Sequence, residues 1–168
     1  MFDREFWDAG IVFLHVLAAA LFFGPQVFLA LIAVPAVRGI EDARERQRVS
    51  RAVTMGFGAL GGAALATLLA TGIYNYYQSD QFMNADYPRY FTLMQVKLTL
   101  VTLVVILTVL HAAVFGRRMQ RLQEAGAPEA EIAAARRWSV AASMLNATAT
   151  LVIIFCGVLI SDDWSKVP

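Results

Sequence analysis

Four apolar runs, at 9–37, 52–77, 91–115 and 139–160, dominate the chain, and each is long enough to cross a bilayer, which takes about 20 predominantly apolar residues. Little sequence remains between them. A backbone in hydrocarbon must satisfy its own polar groups, so runs of this length and composition predict helices. Hydrophobic residues make up 58% of the 168 and charged residues 16%, against about 25% charged in soluble domains. The expectation is an all-α integral membrane protein: one domain, residues 1–168, folded as an antiparallel four-helix bundle with short connections.

Arginine placement predicts the orientation. Arg38, Arg44, Arg46, Arg48 and Arg51 lie in the first connection, and Arg117, Arg118, Arg121, Arg136 and Arg137 in the third. The opposite ends carry Arg4, Arg89 and Lys166 among Asp3, Glu5, Asp8, Asp80, Asp86, Asp162 and Asp163. By the positive-inside rule both termini and the segment "QSDQFMNADYPR" face outward, across a prokaryotic cytoplasmic membrane. Trp7, Tyr74, Tyr76, Tyr77, Tyr87, Tyr90 and Trp164 mark the outer boundary and Trp138 the inner one. The opening "MFDREFWDAG" has no basic region and no small-residue cleavage site, so the first run reads as a permanent span. Gly126 and Pro128 break the third helix, and "EAEIAAARR" restarts a helix ahead of the fourth run. Pro25 and Pro35 predict a kink in, or an end to, the first helix.

Several function classes drop out. The net charge of +1 is accounted for by topology and leaves no basic face for nucleic acid. Cys156, the single cysteine, allows no disulfide within the chain. No phosphate-binding glycine loop, nucleophile elbow or H-E-x-x-H spacing occurs.

The chemistry concentrates on ionisable groups inside the apolar runs, which are functional by default because hydrocarbon penalises charge by a few kcal/mol. His15 in the first span and Lys97 in the third each lie roughly 9 Å below the outer end of their helix, at a rise of 1.5 Å per residue. His111 lies ~21 Å deeper than Lys97, on nearly the same helical face. His15 and His111 therefore cannot be the two axial ligands of one haem, which must share a level. His15 can ligate alone or with a partner from its own layer, for which Lys97, Met94, Cys156 and a tyrosine are candidates; an amine without its proton is a usable ligand. Phe22 lies on the His15 stripe. In the second helix Gly58, Gly62, Ala66 and Ala70 recur every four residues, a surface without bulk that suits close helix packing or the face of a porphyrin or quinone. Near the inner boundary, His111 and Asn146 share a depth and form a second polar site, with a hydrogen bond between them expected.

"LHVLAAALFFG" in the first helix, "TGIYNY" closing the second and "VKLTLVTLVVILTVLHAAV" in the third together resemble the family of small four-helix membrane proteins that includes the HemJ-type protoporphyrinogen oxidases and the CopD-like domains. The resemblance covers all four spans. It implies a haem b held by a first-helix histidine and the lysine of a K-L-x-L-V motif, positions matched by His15 and Lys97 in "KLTLV". The chain departs in having "LMQVK" where the family carries a tryptophan shortly before the lysine, and "GPQVFLALIAVP" where it carries an aromatic, Pro-Arg-rich continuation. The expected function is a membrane-embedded haem-b protein with an electron-transfer role, an oxidoreductase if the activity follows the HemJ type, with porphyrin as substrate and a quinone as acceptor. The bilayer, a second copy of the chain and a membrane redox partner are the expected associations. A CopD-like copper role is the alternative, but soft copper sites gather methionines, and Met55, Met83, Met94, Met119 and Met144 are scattered.

Overall fold

A computed structural model of the chain describes residues 4–78 and 88–162, without the side chains of Phe115, Met119, Gln120 and Gln123. The segment "QSDQFMNADYPR" beyond Gln78 and before Pro88 lies outside the described residues, as do Asp3, Asp80, Met83, Asp86, Tyr87, Asp163, Trp164 and Lys166. Among the described residues all regular structure is helical, and four helices are long and apolar enough to cross a membrane. We label them α1 (Arg4–Arg38), α2 (Ala43–Tyr77), α3 (Pro88–Arg118, continuing helically to Glu124) and α4 (Glu129–Ser161).

The chain divides into two compact units, Met1–Asn84 and Ala85–Pro168, each a helical hairpin. In the first, Asp8 meets Tyr74, His15 meets Thr71, and the rings of Phe28 and Phe57 sit 5.7 Å apart. Position thus falls along α2 as it rises along α1. Ala18, Phe22 and Ala33 of α1 and Ala64 and Thr71 of α2 are buried. The second hairpin packs α3 on α4, burying Tyr90, Met94 and Val104 of one helix and Ala135, Ala149, Thr150 and Cys156 of the other. Both cores are thin. Large apolar side chains such as Phe13, at 68% exposure, and Leu31, at 71%, are exposed on helices long and apolar enough to cross a membrane.

Four threonine hydroxyls along these helices are satisfied on their own helix, while that of Thr108 is buried without a hydrogen-bond partner. Thr67 donates to the carbonyl of Ala63, Thr99 to Gln95, Thr102 to Leu98 and Thr150 to Asn146, each four residues back. That pairing removes the penalty of an unbonded polar group in an apolar medium.

Both hairpin turns follow from local sequence. Asp42 caps α2, its carboxylate accepting from the backbone N–H groups of Arg44 and Glu45, as an N-cap aspartate should. At the other turn Gly126 takes φ +61°, and the N–H of Ala127 reaches back to the carbonyl of Leu122. This is a Schellman ending, which glycine adopts without the strain a Cβ would add. Pro128 then precedes α4, so the predicted break between the third and fourth helices falls at the predicted residues.

Of the two effects expected of the prolines in α1, an end to the helix occurs at neither Pro25 nor Pro35. The helix continues through Pro25, passes into a π-helical turn over Leu29–Ala33, resumes with Pro35 in its first turn and ends at Arg38. Proline removes a backbone donor from the ladder, and a π turn re-spaces the ladder locally without ending the helix. A second π turn, His111–Phe115, interrupts α3.

Candidate functional site

His15 is half-buried on α1 and faces α2. Its Nδ1 lies 2.8 Å from Oγ1 of Thr71. Thr71 is itself buried, with its hydroxyl 2.7 Å from the carbonyl of Thr67 and 3.4 Å from that of Leu68. Beside it Gly72 leaves room for the ring: a Cβ there would come within 3.3 Å of His15 Cε1 and 3.9 Å of Nδ1. The imidazole is thus seated between a hydroxyl and a glycine from adjacent positions of α2. Ala18 and Phe22, three and seven residues further along α1, are buried on its side of the hairpin.

Toward the end of the hairpin that holds Arg4 and Gln78, a polar chain links the helices. Tyr74 donates to the Asp8 carboxylate at 2.7 Å, Gln78 donates to the Tyr74 oxygen at 3.0 Å, and Arg4 donates to the Gln78 side-chain carbonyl at 3.2 Å. Tyr74 follows Thr71 by three residues, on the same face of α2.

In the second hairpin Lys97 is half-buried, with Nζ 3.8 Å from the place a Cβ on Gly157 would occupy. Met94, one turn before it, and Cys156, the neighbour of Gly157, are both buried. His111 opens the π turn of α3, and Asn146 lies on α4; both are half-buried.

The small-residue stripe of α2 does not serve as the packing face against α1. Gly58, Gly62, Ala66 and Ala70 are exposed, and a Cβ on Gly58 or Gly62 would meet nothing within 4 Å. The residues of α2 buried in the hairpin are Ala64 and Thr71 instead. Sequence reasoning singled out His15 and Lys97, and with them Phe22, Met94 and Cys156, but not the two residues of α2 that seat the imidazole. Thr71 and Gly72 open the "TGIYNY" segment, yet nothing in their identity shows that they meet His15, because that depends on the rotation of α2 against α1.

Among the described residues no three His, Cys, Asp or Glu side chains gather where they could hold a metal ion. Comparison with known proteins finds no family model, no curated protein and no solved structure that matches this chain.

Proposed function

We propose that this chain is a b-type haem protein of a prokaryotic cytoplasmic membrane with an electron-transfer role, related to the HemJ-type and CopD-like proteins its sequence resembles. In this reading the hairpins insert as an antiparallel four-span bundle with both termini outside. His15 is an axial ligand, and Lys97, at the same depth in the outer leaflet, is the candidate for the other side of the ring.

The observation that carries the reading is the seating of His15. An imidazole inside an apolar span, fixed by a hydroxyl on one side and given clearance by a glycine on the other, is built to present one nitrogen in one direction. Metal-ligating histidines characteristically use the second ring nitrogen for such an orienting hydrogen bond. The donor set fits the same group. A porphyrin brings four nitrogens and needs one or two axial side chains, whereas a bare ion such as zinc draws three or four ligands from the protein. When bound, haem b supplies one-electron oxidation and reduction. The chain's part is ligation and a low-dielectric wall, for which the candidates are Phe22 on the His15 side of the first hairpin and Met94 beside Lys97 in the second. His111 and Asn146 lie outside this layer and form the inner-side polar site.

The test is the absorption spectrum of protein purified from haem-sufficient cells. A Soret band is expected in the wild type, its loss in His15→Ala, and an altered band position in Lys97→Met. A wild-type sample without the band, or a His15→Ala sample with undiminished haem, would overturn the reading.

A further inference from the structure

We infer that Thr71 is the positioning residue of His15, fixing the ring as its Nδ1–H tautomer so that the lone pair of the neutral imidazole lies on Nε2. The inference rests on the reading of His15 as a haem ligand only for its consequence; the tautomer follows from contacts within the first hairpin.

A threonine hydroxyl has one proton and two lone pairs. Oγ1 of Thr71 lies 2.7 Å from the carbonyl oxygen of Thr67, a separation two oxygens hold comfortably only with a proton between them. The hydroxyl therefore donates to Thr67. Its remaining capacity toward His15, 2.8 Å away, is as an acceptor. Nδ1 must then be the donor and carry hydrogen, and in a neutral ring Nε2 carries the lone pair. The chain of bonds runs one way, from imidazole N–H to hydroxyl to helix carbonyl, and it ends on a backbone group that cannot rotate. Thr71 is buried, so water does not compete for its lone pairs.

Two consequences separate this from a merely structural contact. The first concerns the ring without any cofactor: one tautomer should dominate in the apoprotein. The second concerns ligation. An acceptor on Nδ1–H orients the ring and raises the basicity of the other nitrogen, and loss of such a partner typically reduces metal affinity about 10–100-fold. A valine at position 71 keeps the shape of threonine and removes the acceptor; a serine keeps the acceptor.

The experiment uses the full-length apoprotein in detergent, labelled with 15N-histidine, and the same samples titrated with haemin. The wild type should show the His15 signal, identified by its absence in His15→Ala, with a protonated Nδ1 and an unprotonated Nε2. Thr71→Val should lose that preference and bind haemin about 10–100-fold more weakly, while Thr71→Ser should retain both properties. A wild-type His15 with its proton on Nε2, or a monodisperse Thr71→Val with unchanged tautomer and affinity, would overturn the inference. Undiminished haemin binding by His15→Ala would instead overturn the ligand assignment, and the tautomer result would still stand or fall by itself.

Discussion

The two hairpins repeat one plan with different chemistry. Advancing 82 residues from the first helix of one to the first helix of the other carries His15 onto Lys97, buried Phe22 onto buried Val104, and the π turn Leu29–Ala33 onto the π turn His111–Phe115. Advancing 85 residues between their second helices carries buried Ala64 onto buried Ala149, buried Thr71 onto buried Cys156, and Gly72 onto Gly157. In each hairpin an ionisable side chain of the first helix rests on a glycine of the second, fourteen residues ahead of a π turn. The residue before that glycine differs. Threonine offers the short, rigid imidazole a strong acceptor; cysteine, whose sulfur is a weak acceptor, stands beside a long, flexible amine. A lysine needs clearance along its stem and little orientation, and a histidine needs both.

That comparison is most sharply broken by transplanting the ligand. Lys97→His alone places an imidazole next to Cys156, where Nδ1–H has no oxygen at the position equivalent to Thr71. Adding Cys156→Thr supplies one. The double variant should bind haemin about 10–100-fold more tightly than Lys97→His, measured by titration of the purified proteins. Equal affinities would show that the correspondence between Thr71 and Cys156 is one of register without chemical equivalence.

A smaller effect is expected from the polar chain of the first hairpin. Tyr74→Phe removes the bond between the helices to the Asp8 carboxylate, together with the bond that Tyr74 accepts from Gln78 on its own helix. A hydrogen bond of this kind is worth about 1 kcal/mol, somewhat more when the acceptor is charged. The midpoint of unfolding in detergent should fall accordingly, with His15 unaffected. An unchanged midpoint would remove the Asp8–Tyr74 pair from the forces holding α1 to α2.

Much of this plan is visible in composition, and the rest is hidden for identifiable reasons. The four apolar runs fall within the four helices, because continuous hydrophobicity leaves the backbone little alternative to a helix. Helix ends are unevenly visible: α4 begins at Glu129, where "EAEIAAARR" predicts a restart after Gly126 and Pro128, whereas α2 begins at Ala43, nine residues before its apolar run. The charged flank "ARERQRVSR" is helical but carries no hydropathy signal. Gly126 and Pro128 announced their turn because each has a particular backbone role. The π turns did not, since Leu29–Ala33 and His111–Phe115 look like any apolar helix. His15 and Lys97 stand out as ionisable groups in apolar runs, whereas Thr71 is one of several threonines that bond their own helix. Its second role appears only when α1 is set beside α2.

The finest distinction between the hairpins is the clearance at their glycines, and the same substitution should raise stability at one site but not at the other. Replacing a helical glycine by alanine favours the helix by about 0.5–1 kcal/mol where space permits. At Gly157 the new methyl lies 3.8 Å from Nζ of Lys97, an ordinary contact with the end of a flexible chain, so Gly157→Ala should raise the unfolding midpoint. At Gly72 the methyl lies 3.3 Å from Cε1 of a ring already tied to Thr71. The ring must give by a few tenths of an ångström, and moving away stretches the Nδ1–Oγ1 bond. The propensity gain is then offset, and Gly72→Ala should leave the midpoint unchanged or lower it while weakening the Nδ1–H preference in the 15N spectrum. An equal gain at both glycines would mean that the imidazole yields as freely as the amine, and the first hairpin would then hold its histidine no more firmly than the second holds its lysine.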